Sequence, residues 1–287
     1  MAVKFVNSQS DDLSLKVFRR ETRTLGELTH PNIVPYRGSG IDETGTYYIV
    51  LDWVERNLDD VLKETGPWTS WDRLYTEFAL PLVEALAYTH LKQVEHRDIK
   101  PKNVLMSSSG VPMLADFGIA KIRGDEEETT NTVADWHSRP YAPPELNADA
   151  RYVRDVYSIG VLLLQCLSKN QLTSLADVEH AVQGVDVPPA IRKILNACIA
   201  TDPSERPKNA SDLLGLLATA QKRRVTTAAS SKAIWLRMQG SAAAALAGDR
   251  DNRQEAQAIA QADLGGEVYS AFFFDRDSGE PQRDSSL

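Results

Sequence analysis

The segment His96-Arg97-Asp98-Ile99-Lys100-Pro101-Lys102-Asn103 places a carboxylate, an amide and several cations within one short stretch. A second carboxylate follows in Asp116-Phe117-Gly118, and Ala142-Pro143-Pro144-Glu145 comes third in order. Carboxylate and amide oxygens suit hard divalent cations, a lysine ammonium neutralises anionic oxygen, and a carboxylate near a hydroxyl can take its proton. Singly these groups say little. A lone Asp-Phe-Gly is a turn signal, and a lone Lys with a Glu is most often a solvated surface pair worth under about 1 kcal/mol.

Taken jointly, the three motifs closely resemble the signature set of protein kinases, and the resemblance runs from Lys4 to about Lys222. It implies a protein that binds ATP with Mg²⁺ and transfers the γ-phosphate to a hydroxyl of a protein substrate. Asp98 matches the catalytic-loop aspartate that holds the substrate hydroxyl. Asn103 matches the amide that gives an oxygen to one magnesium, and Asp116 the carboxylate on the other. Lys100 matches the lysine that meets the γ-phosphate in serine/threonine-type kinases. Lys4 resembles the strand lysine on the α/β-phosphates, with Glu21 as its expected ion-pair partner. Leu51 falls at the gatekeeper position, Asp52-Trp53-Val54 resembles the hinge against the purine edge, and Ala2 and Leu105 would sandwich the ring. By residue type alone Ala2 and Leu105 read as strand core, and only their registers from Lys4 and Asn103 promote them.

The same resemblance assigns architectural partners. Asp155 matches the helix-start aspartate that bonds the catalytic-loop backbone, and Arg206 the arginine that pairs with Glu145. His96, Phe117, Leu25 and Tyr36 fall in a column of packed side chains across the lobes, so His96 reads as packing. Between Gly118 and Ala142 the acidic run Asp125-Glu126-Glu127-Glu128 precedes Thr129, Thr130 and Thr132. Autophosphorylation there would set a charged phosphate beside Arg97; the equal alternative is a solvated loop whose threonines are never modified. Ser138 aligns with the substrate-adjacent threonine.

The elements that must position these groups follow from periodicity. Strands are expected over Ala2 to Val6, Ile33 to Tyr36 and Tyr47 to Val54, with a hairpin connection from Gly38 to Gly45 and a helix over Leu13 to Leu28. Helical spacing covers Leu58 to Lys63, Trp71 to Leu91, Val156 to Leu167, Leu175 to Val182, Ile191 to Ile199 and Leu213 to Gln221, with a kink expected at Pro81. The fold class is α+β: a two-lobed, kinase-like arrangement with a small sheet lobe and a large, mainly helical one. Residues 1–54 form the partial small lobe and hinge, 55–224 the helical lobe, and 225–287 an unassigned tail or the start of a second domain. That tail holds a β-like run from Val268 to Phe274 and an end, Asp275 to Leu287, expected to be disordered.

Composition narrows the function classes. Over 287 residues, 32 Lys+Arg against 40 Asp+Glu give a net charge of −8 without a basic block, which excludes a nucleic-acid-binding footprint. The longest apolar stretch, Ile159 to Leu167, is far short of the roughly 20 residues of a membrane span. No membrane partner and a cytoplasmic location are therefore expected. Cys166 and Cys198 lie in apolar helical patterns and read as buried thiols.

Relative to the family, only three residues precede Lys4, so the strands of the glycine-rich loop are absent and the chain reads as a kinase shortened at its amino terminus. Gly38-Ser39-Gly40 lies after Lys4 and reads as a turn. Weaker hold on the ATP phosphates is the expected consequence. Three functions stay in view: a serine/threonine protein kinase of bacterial type, a catalytically weak kinase-like module that binds partners, and, last, a small-molecule kinase on the same fold.

Overall fold

The computed structural model describes residues 1–6, 18–19, 22–117, 139–145, 151–224, 272–274 and 281–283. The chain divides into two compact units, Met1–Ala220 and Gln221–Leu287.

In the first unit, β1 (Ala2–Val6), β2 (Tyr36–Ile41) and β3 (Tyr47–Leu51) make a three-stranded antiparallel sheet in the order β1-β3-β2. The register sets Lys4 opposite Ile49 and Ala2 opposite Leu51. Alternation decides the faces: Tyr47 and Ile49 are buried, while Val3 and Phe5 point to the other, exposed face. Helix α1, described at residues 18–19 and 22–26, covers the buried face; Phe18 stacks on Tyr47 with ring centroids 4.7 Å apart.

Two sequence expectations are corrected here. Ile33 makes only an isolated parallel bridge to Leu114, and the strand runs from Tyr36 through Gly38-Ser39-Gly40, so those glycines are strand residues and no turn. The Tyr48 ring crosses Gly40, where a Cβ would come 2.5 Å from its hydroxyl, so a larger residue there would have to push that ring aside. The turn lies further on, where Asp42 Oδ1 accepts the backbone N–H groups of Thr44 at 2.9 Å and Thr46 at 2.8 Å.

A second three-stranded sheet was not legible in the sequence: β4 (Arg56–Asn57), β5 (Val104–Met106) and β6 (Pro112–Leu114). Strands of two or three residues carry no periodicity. The sheet is tied back to the chain before β2, since the Leu114 N–H donates to Asn32 O at 2.8 Å and Val34 N–H to Leu114 O at 2.9 Å.

Helix α2 (Leu58–Thr65) is capped by Asn57, whose side chain accepts from the Asp60 N–H, and ends at Gly66 with φ 73°. Helix α3 (Trp71–Leu74) continues through a π-helical turn at Tyr75–Ala79 into α4 (Leu80–Leu91). Pro81 is therefore met by a widened turn just before it, which removes the demand for its missing N–H. Helix α5 (Val153–Leu167) is buried without a break from Asp155 to Cys166 and forms the axis of the helical part. Around it lie α6 (Leu175–Gly184), held by a Ser174/Asp177 capping box, α7 (Pro189–Cys198), and α8, which starts at residue 210. Gly160 lets α5 and α7 approach, because a Cβ there would sit 2.6 Å from Cys198 Cβ.

In the second unit, β7 (Phe272–Phe274) pairs antiparallel with β8 (Pro281–Arg283). The expectation of a wholly disordered Asp275 to Leu287 is corrected at residues 281–283, where pairing to a neighbouring apolar strand supplies structure that polar composition does not report.

Candidate active site

The catalytic-loop residues sit between α4 and β5. A 3₁₀ turn at Pro101–Asn103, with the Asn103 N–H donating to Lys100 O at 2.9 Å, turns Asn103 back onto Asp98. Its amide donates both hydrogens there, at 2.8 Å to the Asp98 carbonyl and 2.7 Å to Oδ2. Lys100 Nζ lies 2.9 Å from the same Oδ2. The backbone N–H of Ala115 donates to Asn103 O at 2.9 Å, which sets Asp116 beside the loop, and Asp116 Oδ1 is 3.0 Å from Lys4 Nζ. Two loops and one strand of the first sheet thus hold two side-chain groups, Lys4–Asp116 and Asp98–Lys100–Asn103, joined through the backbone bond from Ala115 to Asn103.

Arg97 and Asp116 have φ of 65° and 56°, left-handed values that non-glycine residues rarely adopt. Such backbone persists only where its surroundings hold it. Asp155 is part of that hold for Arg97. Its Oδ2 accepts the His96 N–H at 2.7 Å and contacts His90 Nε2 at 3.1 Å, while Oδ1 accepts the Arg97 N–H at 2.8 Å. Burial pushes the Asp155 carboxyl up, but the hydrogen bonds from His90 and the loop N–H outweigh it, leaving it below the usual carboxylate range. His90 Nδ1 accepts the Ala210 N–H at 3.1 Å, so its proton is on Nε2 and is donated to Asp155.

His96 is packing, as expected. It stacks on Phe117 with ring centroids 4.5 Å apart, burial pushes its imidazole down, and Nε2 finds no hydrogen-bond partner among the described residues. Leu25 shares that core, and Tyr36 packs against it. On the far side of the helical part, Arg206 forks onto Glu145 with two bonds of 2.8 Å and lies 4.9 Å over the Tyr157 ring. Burial raises the Glu145 carboxyl, and the Arg206 hydrogen bond and charge more than reverse this, holding it below its usual range.

Other expected residues are placed as follows. Leu51 ends β3 opposite Ala2, and Leu105 is central in β5, facing Asn57 and Met113. Asp52 directs its backbone N–H to Pro35 O at 3.0 Å, and its carboxylate holds Arg37 through two bonds of 2.6 Å. That N–H is therefore taken up within the chain; Val54, two residues on, is half-buried. Glu21, Gly118, Thr129, Thr130, Thr132 and Ser138 lie outside the described residues. The sequence reading missed His90, Arg37 and Glu95, the last of which bridges Arg97 at 3.3 Å and Arg151 at 2.9 Å. A histidine on the apolar α4 was the available signal for His90; nothing local marks the others.

For a metal ion the donor chemistry is a test. With both Asn103 N–H bonds spent on Asp98, the amide's remaining polar atom is an oxygen, and Asp116 adds a carboxylate. Among the described residues no cluster of three His, Cys, Asp or Glu could hold a metal alone. Two hard oxygen donors completed by phosphate is the pattern that suits Mg²⁺.

The chain matches the protein kinase domain family over residues 1–236, and it belongs to that family. Its relatives are of the bacterial serine/threonine type. It is 34% identical over 178 residues to a probable serine/threonine-protein kinase PknB of Lactococcus lactis, covering 58% of this chain and 27% of the relative. Against serine/threonine-protein kinase PknK of Mycobacterium tuberculosis it is 30% identical over 243 residues, covering 78% of this chain and 21% of the relative. The chain thus spans well under half the length of these two relatives. In fold it resembles the crystal structure of Rad53 1-466 in complex with AMP-PNP, with a TM-score of 0.57, 22% identity, and coverage of 74% of this chain and 56% of that one. Among the described residues, no helix is long and apolar enough to cross a membrane.

Proposed function

We propose that this chain is a serine/threonine protein kinase that transfers the γ-phosphate of ATP to Ser or Thr hydroxyls of a protein. The observation that supports the reading is the Asp98–Asn103–Ala115 linkage, in which the Asn103 side chain is bonded to Asp98 and its backbone carbonyl to the residue before Asp116. In the reaction the substrate oxygen forms a bond to the γ-phosphorus, the bond to the bridging β,γ-oxygen breaks, and the hydroxyl proton passes to Asp98. Lys100 and Lys4 would neutralise phosphate oxygens, and Leu51, Asp52, Val54, Ala2 and Leu105 would frame the base. Mg²⁺, held by Asn103 and Asp116, would supply neutralisation of the triphosphate charge. On this reading residues 1–54 are the small lobe with the hinge, residues 55–224 the helical lobe, and residues 225–287 stand outside the catalytic unit. Thr129, Thr130 and Thr132 are its candidate autophosphorylation sites.

One contact favours the rival reading, a catalytically weak module that binds a partner: Lys4 and Asp116 neutralise each other, so nucleotide and metal must part them. The pair is 42% and 37% exposed, and such pairs are worth about 0–1 kcal/mol, too little to block a triphosphate. The test is transfer of labelled γ-phosphate from Mg·ATP to the chain itself and to a generic Ser/Thr protein. Asp98→Asn is expected to lower the rate by about 10²–10⁴-fold. Equal signal in that variant would mean the activity is not this chain's, and no transfer in either would favour the binding module.

A further inference from the structure

A pocket of about 480 Å³ opens directly beside the catalytic cluster, and its wall is unusual for a chain of net charge −8. Four lysines line it, Lys63, Lys100, Lys102 and Lys169, against the single carboxylate of Asp59. Lys63 is already paired with Asp59 at 2.8 Å, and Lys100 with Asp98 at 2.9 Å. Lys102 and Lys169 are exposed and have no acidic partner among the described residues. The polar floor offers no competing charge. The Gln165 amide is spent on the Leu172 N–H at 2.8 Å and Asn170 O at 3.2 Å.

We propose that this pocket selects acidic residues flanking the phosphorylated Ser or Thr, with Lys102 and Lys169 as the residues that set the preference. The inference rests on the kinase reading for the acceptor's position, and adds the substrate class. Lys100 belongs both to the pocket wall and to the Asp98 cluster. A peptide whose hydroxyl meets Asp98 advances about 3.3–3.6 Å per extended residue, so a side chain a few residues away reaches the pocket. There a carboxylate gains two uncompensated cations, whereas an arginine or lysine meets like charge. The chain's own sequence offers a matched probe: Asp125-Glu126-Glu127-Glu128 stand immediately before Thr129 and Thr130.

Three fluorescent peptides test this: residues 124–133 as they stand, the same with the four acids replaced by alanine, and the same with lysine. Binding is read by fluorescence anisotropy on the full chain, and transfer by kcat/KM. The acidic peptide is expected to bind about tenfold more tightly than the lysine peptide, with the gap closing as salt rises. Lys102→Glu with Lys169→Glu should invert the order of binding, with the circular dichroism spectrum unchanged. Equal binding of the three peptides, or an unchanged order in the double variant, overturns the proposal. Loss of all transfer with the binding order intact overturns only the kinase reading, because anisotropy needs no catalysis.

Discussion

Asp155→Asn should be the most informative single change outside the cluster itself. The carboxylate is 1% exposed and receives the His96 N–H, the Arg97 N–H and His90 Nε2–H, three donors on an acceptor-only group. An asparagine of the same shape has one acceptor oxygen. Turned to serve His96 and His90, it points its own NH₂ at the Arg97 N–H and leaves that partly buried donor unsatisfied, which costs about 1–3 kcal/mol. The two bonds that survive lose their charge assistance, so the total loss is about 2–4 kcal/mol, a large part of a typical domain stability. The pH dependence has a definite sign. Asp155 has a folded value below its unfolded one near 3.8, so its stabilisation is present above about pH 4 and is lost as pH falls through the folded value. Urea unfolding followed by tryptophan fluorescence at pH 7 and at pH 3 reads both effects, with the variant's deficit shrinking at the lower pH. A deficit below about 0.5 kcal/mol at pH 7, or one that grows on acidification, would refute the anchoring argument.

Three further outcomes are expected. Arg206→Lys keeps the charge but loses the two-pronged contact with Glu145 and the stacking over Tyr157, and should lower stability by about 2–3 kcal/mol in chemical unfolding. Gly160→Ala puts a methyl 2.6 Å from Cys198 Cβ at the α5–α7 crossing, and should lose about 1–3 kcal/mol in the same measurement. Cys166 and Cys198 are fully buried, and burial raises both thiols, Cys198 to about 12, so neither should react with a thiol-specific chromogenic reagent at pH 8 until the chain is unfolded.

Long periodic elements were readable without coordinates. The apolar run of α5 and the aromatic and β-branched run of β3 stand out from their polar and glycine-containing flanks, and both lie within a few residues of their expected limits. The three-residue strands β5 and β6, the true course of β2 and the π turn before Pro81 were not readable, because each is settled by partners distant in sequence or by backbone geometry that residue type does not encode. Chemistry-bearing residue types and their order, from Asp98 through Asn103 and Asp116 to Glu145, belong to the sequence itself, since a motif is a matter of identity and spacing. The gathering of Lys4 onto Asp116 across more than a hundred residues belongs to the tertiary structure alone. So do the convergence of His90, His96 and Arg97 on Asp155 and the lysine-lined wall beside Lys100, because side chains far apart in the chain become neighbours only when a shared core fixes the backbones that carry them.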